Sequence, residues 1–82
     1  MATTVNELAT LDELLDMIGH CSPPEEAAYA REHLQEARTY LLGRMPLECA
    51  CSLDLARRTL ARLDRTKTRR KAQEILATLP GN

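Results

Sequence analysis

The sequence predicts an all-α protein, a compact bundle of three to four short helices arranged as helical hairpins in one small domain spanning residues 1–82. Three observations predict it. Apolar residues recur at spacings of three and four in four separate stretches, each stretch is bracketed by helix start and stop signals, and none alternates with period two as a half-buried strand does. The 82-residue chain has no Phe and no Trp, and only Tyr29 and Tyr40, so Leu, Ala, Ile and Met must fill the interior. A core this small is near the lower limit for a chain without staples, and a homodimer would bury a second face.

The first helix is expected over residues 4–18. Thr4-Val5-Asn6-Glu7 and Thr10-Leu11-Asp12-Glu13 both fit the capping-box pattern, in which a Thr hydroxyl and a Glu three residues on satisfy orphan amides. Leu8, Leu11, Leu15 and Ile18 give it an apolar face, and Gly19 is placed to end it. For the second helix, residues 23–42, Ser22-Pro23-Pro24-Glu25 offers a Ser cap, a Pro at the first helical position and a Glu at the third. Ala27, Ala30, Leu34, Ala37 and Leu41 form its seam, and so many alanines imply close approach of a neighbouring helix.

Pro46 opens a third helix over 46–63, with Glu48 near its positive end. Cys49, Leu53, Ala56, Leu60 and Leu63 step by four and three along one seam. The fourth helix, 67–79, uses Ala72, Ile75, Leu76 and Leu79, and Pro80-Gly81 ends it.

The net charge of -1 conceals an asymmetry. Residues 1–43 carry eight acids against Arg31 and Arg38; residues 44–82 carry nine bases against Glu48, Asp54, Asp64 and Glu74. Either the acidic and basic helices pair with each other, the simpler expectation, or the basic face is kept for an anionic partner. No apolar stretch approaches the roughly 20 residues that cross a bilayer. The start of the chain lacks the basic and apolar segments of a secretory signal, which predicts a soluble, cytoplasmic protein with free thiols.

The three cysteines raise the question of a metal or redox site. On a helix, Cys49 and Cys51 lie about 200° apart, which places Cys49 on the seam and Cys51 on the opposite flank. A Cys3His zinc site from His20, Cys21, Cys49 and Cys51 requires a later start to the third helix, with Ser52 as cap and both cysteines in a loop. His33 lies beside the second helix's seam as a packed or surface residue. No cofactor is expected.

Leu47 to Leu63 admits a second parsing that resembles a helix-turn-helix, with Leu53 and Leu55 flanking the turn and Leu60 and Leu63 anchoring a recognition helix. It departs from that pattern by holding Asp54 where such turns often carry Gly. This parsing aims Arg57, Arg58, Thr59 and Arg62 outward, and Arg65, Lys67, Arg69, Arg70 and Lys71 extend the basic run toward phosphates. The absence of aromatics from that run argues against base-stacking modules.

No phosphate loop, nucleophile elbow or His-Glu-x-x-His pattern occurs, so no enzyme and no small-molecule substrate are expected. The leading expectation is a non-enzymatic regulatory module that binds another protein, or itself, through apolar residues off the main seams. Leu47, Cys51 and Leu55 run along one side of the third helix, and Tyr40, Leu42 and Met45 cluster at the bend around Gly43.

Overall fold

A computed structural model describes residues 2–79, with side chains from residue 5. Within them the chain forms four helices and no strand: α1 Ala2–Ile18, α2 Pro24–Leu42, α3 Pro46–Leu60 and α4 Lys67–Leu76. They close a ring in which α1 and α3 each pack on α2 and α4, and the α2–α3 contact is the most extensive. The body measures 34 × 19 × 18 Å.

That contact follows from the alanines. Ala27, Ala30, Leu34 and Ala37 of α2 are buried, and they face an α3 whose Cys49, Leu53, Ala56 and Leu60 are also buried. Small side chains let the helix backbones approach, and the leucines fill the remaining space. Leu11, Leu14 and Ile18 of α1, Cys21, Leu63, and Ala72, Leu76 and Leu79 complete the core. Burial of a leucine contributes about 1.5–3 kcal/mol, so the few leucines that are fully enclosed (Leu11, Leu14, Leu34, Leu60 and Leu76) dominate the stability. The expected α1 face requires correction: Leu14 is buried, whereas Leu8 and Leu15 are only partly so.

The helix starts obey proline chemistry more than capping. Neither Thr pattern caps α1, which already runs from Ala2; the Thr4 side chain lies outside the described residues, and the Thr10 hydroxyl donates back to Asn6 O at 2.8 Å. Helix α2 starts one residue later than expected. A residue before proline is driven away from helical backbone, so Pro23 takes extended values (φ -69°, ψ 151°), and Pro24 becomes the first helical residue with no side-chain cap from Ser22. The same rule holds Met45 out of α3 ahead of Pro46. At α4 a cap does form: Thr66 Oγ1 accepts from the Arg69 amide at 3.1 Å.

The ends tighten earlier than periodicity implies. Helix α3 stops at Leu60, and the amides of Arg62 and Leu63 then bond three residues back, to Thr59 and Leu60. Leu63 still enters the core from this turn. Helix α4 stops at Leu76 and delivers Leu79 to the core in the same way; the expected Pro80-Gly81 stop lies outside the described residues. The Asp64 amide donates to Ser22 O at 2.7 Å, tying the turn after α3 to the α1–α2 loop.

At the end of α2 the left-handed residue is Arg44 (φ 56°), while Gly43 has φ -81°. The Met45 and Arg44 amides donate to Tyr40 O at 2.9 Å and Leu41 O at 3.2 Å, the two bonds of a Schellman motif. Arg44 therefore occupies the position that glycine usually fills. The motif sets the bend that brings α3 back along α2.

Candidate functional site: the outer flank of α2 and α3

Because α3 is one continuous helix, residues four apart share a face, and the buried seam leaves a second line outside. Leu47, Cys51 and Leu55 form it, with Leu47 78 % exposed, Leu55 42 % exposed and Cys51 also open to solvent. Across from it, α2 contributes Tyr40, half-buried against the core, and Glu36. Together with Glu48 and Ser52 these residues line an open groove of about 420 Å³. A second hollow of about 290 Å³, lined by Glu32, Gln35, Glu36, Thr39 and Tyr40, adjoins it through the two shared residues. The expected flank thus assembles Tyr40, Leu47, Cys51 and Leu55 in one groove. Leu42 and Met45 are exposed at the bend beside it and do not line it. Glu36 and Glu48, which periodicity of apolar residues did not pick out, stand in the groove wall.

The other candidates are placed differently. The turn required by the helix-turn-helix parsing is absent, because Leu53, Asp54 and Leu55 lie inside α3. Asp54 instead pairs with Arg58 one turn on, at 3.0 Å. Thr59, expected to point outward, is 5 % exposed, and its hydroxyl donates to Leu55 O at 2.9 Å. Arg57 is half-buried against a hollow of about 190 Å³ formed with Leu60, Gln73, Leu76 and Ala77. Arg69 Nη1 donates to Leu63 O at 2.8 Å, so this guanidinium helps to close the turn after α3. Arg62, Arg65, Lys67, Arg70 and Lys71 remain exposed. A hollow of about 480 Å³ lies among Arg65, Thr66, Lys67, Arg69, Arg70 and Gln73, at the positive end of α4.

The expected pairing of acidic and basic halves does not occur among the described residues. The ion pair that joins two helices there is Arg38 to Asp12, 2.9 Å, and both partners belong to the acidic half. The basic run is thus left to solvent, apart from half-buried Arg57, Arg58 with Asp54 and the backbone bond of Arg69.

The cysteine and histidine set does not converge. Among the described residues no group of three or more His, Cys, Asp or Glu side chains is placed to hold a metal. Helix α3 begins at Pro46, so Cys49 and Cys51 stand on opposite flanks of a helix instead of sharing a loop. Cys21 and Cys49 are buried and free. The Cys21 thiol leans on Met17 O at 3.7 Å. Burial pushes both thiols above the ordinary range, and the Glu7 carboxylate adds to the effect at Cys49. Such thiols are poor nucleophiles and poor ligands at neutral pH. His33 is half-buried, its Nδ1 3.9 Å from Glu36 Oε1.

No helix is long and apolar enough to cross a membrane among the described residues. Comparison with protein-family models, with curated proteins and with solved structures gives no match.

Proposed function

We propose that this chain is a small non-enzymatic interaction module, acting in regulation or assembly, that binds another protein through the groove between α2 and α3. The observation that carries the reading is Leu47. In a core that encloses so few large side chains, a leucine left 78 % exposed gives up about 1.5–3 kcal/mol of available burial. It does so in line with Cys51 and Leu55, four residues apart, opposite Tyr40. An apolar stripe beside a shallow groove fits the helix-in-groove mode, in which affinity comes from a few anchors in desolvated pockets.

A photo-crosslinking residue placed at position 47 in living cells tests the reading. A discrete adduct that disappears when Leu55→Asp is added supports it, and an adduct of twice the chain's mass would make a second copy the partner. The absence of any adduct from a folded, expressed protein would contradict it.

One observation favours a second reading, binding to nucleic acid. Arg65 to Lys71 holds five cations and no acid, beside the hollow at the start of α4. Phosphate contacts alone would be made here, through counterion release, and the candidate residues become Arg65, Lys67, Arg70 and Lys71 in place of those of α3. Duplex retention that falls with salt, and that Arg65→Ala, Arg70→Ala and Lys71→Ala weaken together, would support this reading. Retention unchanged by those substitutions would remove it.

A further inference from the structure

We propose that the α2–α3 groove selects a basic amphipathic helix of a partner protein, an inference that rests on the protein-binding reading above. Each charged side chain lining the groove is an acid, Glu36 and Glu48, and the adjoining hollow adds Glu32 beside Glu36. No Lys or Arg lines either one. Among the described residues none of these three carboxylates meets a Lys or Arg; Glu36 has only His33 nearby, on its own helix. The nearest cations in sequence are Arg31, next to Glu32 but lining a different hollow with Gly19 and Cys21, Arg38, already held by Asp12, and Arg44, at the bend.

Glu48 alone is explained by its place in the first turn of α3. Glu32 and Glu36 are not. They sit four apart inside α2, where like charges repel. A partner carrying Lys or Arg on both sides of an apolar ridge would relieve that repulsion while covering Leu47, Cys51 and Leu55. Those three residues span two helical turns, about 12 Å at 1.5 Å per residue, which matches apolar anchors at i, i+3 or i+4, and i+7 on the partner.

Among the described residues the chain does not itself supply such a helix. The exposed cations of α4 share a helix whose Ala72 and Leu76 are already buried. Pairing the groove with its own copy would put Glu36 and Glu48 of both copies in one interface, and like charges there oppose association.

The test is calorimetric titration of the full chain with two synthetic helical peptides that share one leucine ridge, one flanked by Lys and the other by Glu. The Lys-flanked peptide is expected to bind at least about tenfold tighter, with the preference shrinking as salt rises. The double variant Glu36→Lys, Glu48→Lys should reverse the preference, and Leu47→Asp should abolish binding of both; Glu36 and Leu47 are exposed and Glu48 partly so, and circular dichroism checks that the variants fold. Equal binding of the two peptides, or a preference that charge reversal leaves unmoved, overturns the inference and leaves the protein-binding reading standing. Binding of neither peptide overturns both. Self-association of the chain that Leu47→Asp dissolves assigns the groove to a second copy and also overturns the inference.

Discussion

Helix α3 carries two apolar lines, one stepping by four and three and the other by four, and they have opposite fates. Cys49, Leu53, Ala56 and Leu60 are enclosed by α2 and α4, whereas Leu47, Cys51 and Leu55 face water across a groove from Tyr40. The composition of the two lines barely differs: each mixes leucine with cysteine. What separates them is the partner. The inner line meets the alanine seam of α2, which lets the backbones close, and the outer line is left uncovered among the described residues. Amphipathicity measured on one helix cannot distinguish a buried line from an exposed one. That distinction comes from the neighbour.

Truncation separates the two lines most sharply. Leu60→Ala removes a fully enclosed side chain and is expected to lower stability by about 2–5 kcal/mol, read by chemical denaturation. That is a large fraction of the 5–15 kcal/mol typical of a domain. The cysteines repeat the contrast. In the native protein an aromatic disulfide reagent should modify Cys51 at least about 100-fold faster than Cys21 and Cys49, which must wait for opening of the fold. Similar rates for all three would break the distinction between the lines.

The same two thiols give a pH dependence. Their folded pKa values lie above the ordinary value of 9.0, so the unfolded state loses these protons first. Their contribution is whole below pH 9.0 and declines as pH rises through the folded values. Replacing Cys49 by Ser should make stability less sensitive to alkaline pH, measured as denaturation midpoints above and below that value.

Smaller effects sharpen the account of how the two lines are held apart. Arg69→Ala removes the guanidinium from Leu63 O and is expected to destabilise by about 1 kcal/mol. Arg44→Gly relieves the left-handed backbone at the α2–α3 bend and should stabilise by about 0.5–1 kcal/mol. Smallest of all, Leu47→Ala should change stability by less than about 0.5 kcal/mol. A loss comparable with that of Leu60→Ala would mean that the outer line belongs to the core after all.

Much of this architecture is legible in the sequence. The seams of α2 and α3, and the return of the chain after Gly43, follow from spacing and from the placement of Pro and Gly. The misreadings are local and have identifiable causes. The Thr10 capping-box pattern lies inside α1, because its hydroxyl bonds back to the carbonyl of Asn6 four residues earlier without ending the helix. Two adjacent prolines compete for the first position of α2, and the restriction on a residue before proline decides for Pro24.

The outer flank was legible as a set of apolar residues left off the seams, but its acidic wall was not. Glu36 and Glu48 come from different helices, and only the close packing of α2 on α3 places them around one groove. The basic run was plain in the sequence. Its partial use inside the fold, with Thr59 buried, Arg58 paired and Arg69 closing a turn, depends on α3 being a single helix that ends at Leu60.

The most direct test of the outer line as a binding surface is a nuclear magnetic resonance titration of isotope-labelled protein with the Lys-flanked amphipathic peptide, followed at each backbone amide. The account predicts shifts gathered on Glu36, Tyr40, Leu47, Glu48, Cys51 and Leu55, with the core amides of Leu34 and Leu60 little changed. Shifts confined to Arg65 through Lys71, or spread evenly over the chain, would contradict it.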